Sequence, residues 1–329
     1  MAILEFKEGH NKYIMDSFEF EYGRVLENVP VEYSLYGTPK YDEKGNITNA
    51  VLYCHGFNGN YTSLNDLYEL TKPGAEFSRE NYFLISITSL GFPESCSPST
   101  TGLKQNFPRY SIRDRVNFKR QFLAEKLGIH KLHGITGRGL GGYEAYTWAC
   151  EYSDEMDFII VLSSSYKTNG YRYVVSKCIE SIIDSSDDLY QEYYSESISR
   201  IMVSLNQLAY SNYFSKKAFQ EMSNDEIDAL MDDFVDRGLF TDIHDFKFRN
   251  DAVLYYDLTD KLSDIRAKAL IISSKDDIYY SPEFDTIPLT DLISDSKVVL
   301  YESNVDINGF EDYSFLESYL KEFMKDFKK

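Results

Sequence analysis

The chain has 329 residues, enough for one large domain with an inserted unit and a sizeable buried core. Hydrophobic residues make up 43% and aromatic residues 16%, which excludes global disorder. The formal net charge of -19 sets the chain against nucleic-acid phosphate and anionic lipid, so neither is an expected partner.

Two alternating stretches open the chain, Phe18–Tyr22 and Val31–Tyr36, and both read as half-exposed antiparallel strands. Residues Pro39–Asn49 are turn-rich and hydrophilic, hence a loop. Short apolar runs follow at Val51–Cys54, Phe83–Thr88, Leu132–Thr136, Phe158–Ser163, Ala269–Ser273 and Val298–Tyr301, the signature of strands buried on both faces. Helical patterns separate them. Ser111–Leu127 opens on a capping box of Ser111 and Asp114 and stops at Gly128; 140–152 is a second helix; 311–328 is an amphipathic third. Alternation of this kind implies an α/β fold with a mostly parallel central sheet flanked by helices.

Residues 170–250 break the pattern. The clearest helix there, Ser223–Gly238, carries a Ser223/Glu226 capping box and an apolar stripe closed by Gly238. The expected organisation is a core of 1–169 and 251–329 with a helical cap inserted at 170–250. Four cysteines without CxxC spacing read as reduced, mostly buried thiols. The charged first residues and the lack of any run of about 18 apolar residues point to a cytoplasmic protein without membrane contact.

The turn Gly137-Arg138-Gly139-Leu140-Gly141-Gly142 follows a strand and precedes a helix, the setting of a nucleophile elbow, G-x-S-x-G. Glycines there permit strained backbone angles and close approach of strand and helix. The middle position is Gly139, which has no side chain with which to attack. A phosphate loop fits less well, because G-x-x-x-x-G-K-[ST] does not match and the strand the turn follows is mid-chain. The second motif, Cys54-His55-Gly56-Phe57, ends the first buried strand. Such a turn supplies one amide of an oxyanion hole, here Phe57, with Leu140 giving the other. For His55 the favoured role is bonding its own loop, with ligand contact as the alternative.

In order along the chain, these motifs resemble the homoserine O-acetyltransferase branch of the α/β-hydrolase superfamily. The resemblance rests on Val31–Gly37, Asn49–His55, Ile87–Gly91 with Ser97-Pro98-Ser99, Phe107–Asp114, Leu127-Gly128-Ile129, the G-R-G-L-G-G turn and Asn250-Asp251-Ala252. It implies a triad whose serine falls on Gly139, whose acid falls on Asp277 (with Asp276 one step away), and whose histidine falls on Phe310. The last histidine in the chain is His244. The triad is therefore expected to be degenerate.

Substitutes are scarce. Cys54 reads as core, and Ser163, Ser164 and Ser165 as loop-bonding residues. Arg138 could clamp a carboxylate or phosphate, or pair with a local acid. Tyr166 and Lys167 are further pocket candidates, so Arg138, His55 and Tyr166 form the expected ligand-contact set. His244 beside Asp242 and Asp245 reads as a solvated acidic loop rather than a metal site; no metal and no cofactor are expected. The expected function is a non-catalytic α/β-hydrolase-fold protein that binds a small molecule, acyl-CoA or amino-acid-like, or a protein partner. A homodimer through the cap helices goes with it. The alternative is an active acyltransferase or hydrolase using substitute residues, for which the resemblance implies acetyl-CoA and homoserine as substrates.

Overall fold

The computed structural model describes residues 6–189, 196–212, 214–302 and 314–327. Eight strands form one sheet: β1 (Gly9–Glu19), β2 (Val25–Tyr36), β3 (Ala50–Cys54), β4 (Phe83–Ile87), β5 (Leu132–Arg138), β6 (Met156–Leu162), β7 (Lys268–Ser274) and β8 (Ser296–Tyr301). Their spatial order is β1-β2-β4-β3-β5-β6-β7-β8. β2 pairs antiparallel with β1 and β4, and every later pairing is parallel. At the centre, Leu52 sits between Ile85 and Ile135. All residues of β3 and β4 are buried, as continuous apolar runs require when both faces are covered.

Alternation along the strands sends side chains to two separate cores. Leu52, Ile85, Ile135, Ile159 and Ile271 join one, with Val116, Phe118 and Phe122 of a helix and Ala145 and Trp148 of another. Val51, Tyr53, Leu84, Ile160, Leu162 and Ile272 join the other, against Leu316, Leu320 and Phe323 near the C-terminus. In chain order the helices are α1 (Tyr68–Thr71), α2 (Ile112–Phe122), α3 (Leu140–Glu151), α4 (Gly170–Asp184), α5 (Glu196–Tyr210), α6 (Lys216–Glu221), α7 (Asn224–Leu239), α8 (Ile243–Leu254), α9 (Pro282–Asp285), α10 (Leu289–Leu292) and α11 (Glu317–Phe323). Helices α4 to α8 all fall between β6 and β7, where the described residues hold no strand. Among the described residues no helix is long and apolar enough to cross a membrane. Cys54, Cys96 and Cys150 are buried and Cys178 is exposed, all four as free thiols.

Three expectations need correction. Phe18–Tyr22 is the end of a longer strand and a turn, not a strand: β1 stops at Glu19, and the amide of Phe20 donates to the carbonyl of Arg24 at 2.9 Å. The polar stretch from Gly9 pairs along β2 because only one of its faces needs apolar residues. Gly238 does not stop α7, which runs through Leu239. It is needed where α5 crosses, since a Cβ there would lie 2.7 Å from the Cα of Val203. The last segment is broken by 3₁₀ turns at Ser314–Leu316 and Met324–Phe327 on either side of α11. The capping box of Ser111 and Asp114 is formed; α2 ends at Phe122, followed by one wide turn and left-handed Gly128 at φ 65°.

Candidate functional site

The turn between β5 and α3 has the geometry of a nucleophile elbow. Gly139 sits at φ 53°, ψ -119°, a conformation that L residues adopt only under strain. The flanking glycines are there for a different reason. A Cβ on Gly137 would lie 2.3 Å from the carbonyl oxygen of Gly141, and one on Gly141 would lie 1.9 Å from that of Cys54. At Gly139 itself there is room, with the nearest atom, the Tyr280 hydroxyl, at 3.7 Å. Packing therefore forbids side chains around the turn but not at its tip, where the nucleophile of such a turn would stand. Gly141→Ala is expected to prevent soluble folding, because the backbone on both sides would have to move; solubility and the far-ultraviolet dichroism of the purified variant check this.

Phe57 and Leu140 face the same cavity of about 340 Å³ that lies over the elbow. Leu140 is the first residue of α3, so its amide has no partner within the helix and lies at the positive end of the helix dipole. Phe57 is held by Arg249 of α8. The guanidinium Nη1 donates to the Phe57 carbonyl at 2.8 Å and Nε donates to the Asp245 carbonyl at 3.1 Å. The same guanidinium lies over the rings of Phe57, Phe92 and Phe246, at 5.0, 4.7 and 5.7 Å from their centroids. This one buried cation ties the Phe57 loop to α8. Val175 and Ile179 of α4, Asn206 of α5, and Phe246 and Asn250 of α8 complete the cavity from above.

The remaining predicted residues divide. Arg138 faces the cavity together with Asp66. The Asp66 carboxyl is pushed up by burial and pulled back by the charge of Arg138, the local acid anticipated for that arginine. Asp277 follows β7 and is buried. Its Oδ1 accepts from the amides of Tyr279 at 3.0 Å and Tyr280 at 2.7 Å, while Oδ2 has no hydrogen-bond partner among the described residues. Burial pushes this carboxyl up to about 7, against the pull of those two amides. Tyr279 and Tyr280 line the cavity; Asp277 lies behind them and does not. Asp276 is exposed. Phe310 lies outside the described residues.

His55 and Tyr166 are not ligand contacts. The His55 ring is fully buried. Its Nδ1 bonds the Gly56 carbonyl at 2.9 Å and its Nε2 accepts from the Ser89 amide at 3.0 Å. Burial drives its pKa down to about 3, so the ring is neutral and organises the loop. Tyr166 is 3% exposed, packs in the core and is absent from the cavity wall. Its chain follows β6 downward, where the carbonyl accepts from the Leu258 amide at 2.9 Å. Lys167 also stays off the cavity wall. Cys54 is buried, and its thiol is pushed up to about 12 by that burial. Ser164 Oγ donates to the Gly139 carbonyl at 2.6 Å and Ser165 Oγ to Asp285 at 2.8 Å. Asp242 caps α8 through the amides of His244 and Asp245, and Asp245 accepts from the Ser99 amide at 2.8 Å, so the acids around His244 are committed to structure rather than to a solvated loop.

Sequence reasoning missed Asp66, Arg249 and Asn206, and read Asn250 only as part of the Asn250-Asp251-Ala252 motif. It also missed the buried Arg172–Asp285 pair, which joins the start of α4 to α9. Each acts across more than 60 residues of chain or from within an ordinary helical stripe, and neither leaves a local signature.

A model of the alpha/beta hydrolase fold matches residues 49–308. The chain belongs to that family. Within it, the chain is similar to the homoserine O-acetyltransferase branch. A probable acyltransferase from Methanothermobacter thermautotrophicus is 40% identical over 289 residues, covering 88% of this chain and 89% of that protein. A homoserine O-acetyltransferase from Methanosalsum zhilinae is 27% identical over 327 residues, covering 86% of this chain and 64% of that one. The crystal structure of homoserine O-acetyltransferase from Bacillus anthracis superposes with a TM-score of 0.80 at 21% identity, covering 96% of this chain and 97% of that one.

Proposed function

We propose that this protein binds an acyl-bearing small molecule in the cavity over the elbow and forms no acyl-enzyme there. The observation that carries the reading is the elbow itself. Its strained turn is present and Phe57 and Leu140 both line the cavity, yet its tip is Gly139. The carbonyl oxygen of the ligand would accept from the amides of Phe57 and Leu140, with the positive end of α3 behind it. Arg138 and Asp66 would meet its polar end. Among the described residues of the cavity wall there is no histidine, cysteine or lysine. Without a histidine beside a hydroxyl, a serine or tyrosine of the wall lacks the base that elbow enzymes use and stays a weak nucleophile.

The relatives' names favour a second reading, acyl transfer without an elbow serine. In that case an acceptor hydroxyl attacks the carbonyl carbon of an acyl thioester held on the same two amides, the acyl carbon–sulfur bond breaks, and the hydroxyl proton leaves with the sulfur as free thiol. One experiment separates the two. The protein is incubated with acetyl-CoA and, separately, with p-nitrophenyl acetate; intact mass, product release and melting temperature are then recorded. Binding alone gives no mass change, no product and a higher melting temperature, with ligand at 100 times Kd adding about 2.7 kcal/mol of stability. Product that forms only when homoserine is added as acceptor, without an adduct, supports direct transfer. A stoichiometric adduct that turns over overturns the proposal, and peptide mapping would name the residue.

A further inference from the structure

A second cavity of about 70 Å³ lies on the other side of the β5 end. Its floor is the face of the sheet built by Val51, Leu84, Thr136, Ile160, Leu162 and Ile272. Its roof is Leu64, Leu67 and Leu70, from the turns that lead into and through α1, with Phe77 beside them. Leu316 and Leu320 close it near the C-terminus. Apart from Thr71, Thr136 and the rim at Arg138, its walls are apolar or glycine.

Tyr53 and Arg138 line this cavity and also line the cavity over the elbow, so the two spaces adjoin. The two residues lie near the ends of adjacent parallel strands, paired through Cys54 and Gly137. Gly137 borders the apolar cavity and Gly139 the larger one, two residues and roughly 7 Å apart along the strand. Polar and apolar spaces therefore meet at a common wall beside the oxyanion amides.

We propose that the apolar cavity is a subsite for the alkyl chain of the acyl group, and that the ligand is a short straight-chain acyl ester or thioester longer than acetyl. The inference rests on the acyl-binding reading above. A dry cavity of about 150 Å³ accepts benzene, so roughly 70 Å³ accepts three or four carbon atoms. With the carbonyl on Phe57 and Leu140, a butanoyl or hexanoyl chain would run past Tyr53 and the aliphatic stem of Arg138 into the space under Leu64. An acetyl group would leave it empty, and an unfilled apolar void forfeits the contacts of its lining.

The test is calorimetric titration of the full chain with acetyl-, butanoyl-, hexanoyl- and decanoyl-CoA. Affinity is expected to rise about fourfold per methylene from acetyl to hexanoyl, then level off or fall at decanoyl. Leu64→Trp, which fills the space, is expected to abolish that rise. Leu67→Ala, a half-buried position, is expected to move the plateau to a longer chain, and it decides the matter if the tryptophan variant does not fold. Binding of all four with no dependence on chain length overturns this inference and leaves the acyl-binding reading standing. No binding of any of them overturns both.

Discussion

Glu144→Ala is expected to leave no folded protein at 25 °C. Glu144 lies on α3, fully buried, and its carboxylate pairs with Arg115 and Lys119 of α2, both also fully buried. It further accepts from the Ser89 hydroxyl at 2.9 Å. Burial alone would push this carboxyl up, but the two cations overcome it and hold it at about 2. Removing it strands two positive charges beside each other in the core. Breaking one buried pair costs about 3–5 kcal/mol, and here one carboxylate serves two. Total stability of about 5–15 kcal/mol does not absorb such a loss comfortably. Soluble yield and urea unfolding followed by circular dichroism give the answer. A variant that unfolds cooperatively within about 1 kcal/mol of the parent would show that the charges are not paired as described.

The same carboxylate sets an acid limit. Its folded pKa lies below its ordinary 4.5, so its contribution is complete above about 4.5 and is lost as the pH falls through 2. His55 acts in the same direction. It is held neutral by burial down to about 3 against an ordinary 6.5, so the unfolded chain binds the extra proton between those values and stability falls with pH across that window.

Asp277→Asn is expected to stabilise the protein in alkaline solution and to destabilise it by about 1–3 kcal/mol near pH 4. The ordinary value of this carboxyl is 3.8 and its folded value about 7. Between the two, the unfolded chain gives up the proton and the folded chain keeps it, so stability falls as pH rises from about 4 to about 7 and then levels off. The full penalty at pH 8.5 is on the order of 4 kcal/mol. Asparagine removes the charge and still accepts from the Tyr279 and Tyr280 amides, but it leaves an amide nitrogen where Oδ2 lacks a partner. That offsets about 1–3 kcal/mol, for a net gain of about 1–3 kcal/mol at pH 8.5. Denaturant midpoints of both proteins at pH 4 and 8.5 provide the measurement. Equal differences at the two pH values would mean that Asp277 ionises normally in the folded state.

What could be read in the sequence was local. The buried strands announced themselves as unbroken apolar runs, and the Ser111/Asp114 box placed the start of α2 correctly. The elbow was legible because three of its glycines are forced by contacts within a few residues or with the neighbouring strand. The features missed or misread depend on distant chain. His55 reads as a residue that bonds its own loop, but Ser89 and Phe92, which enclose its ring, lie on distant chain. Gly238 looks like a helix stop until α5 crosses it. The three charges of Arg115, Lys119 and Glu144 look like solvated positions of two helices, and only the packing of α2 on α3 makes them one buried cluster.

The sheet order carries a consequence for synthesis. β6 and β7 are neighbours, yet residues 163–267 separate them in the chain. At about 5–20 residues per second, a ribosome needs roughly 5–20 s to supply β7 after β6 has emerged. Through that interval the half-built sheet ends on the run Phe158-Ile159-Ile160-Val161-Leu162, an unpaired edge of high β-propensity without a charge. The nascent chain is therefore at greatest risk of association in the stretch that encodes the helices over the cavity, and the acidity of 170–250 keeps growing chains apart while the edge waits for its partner.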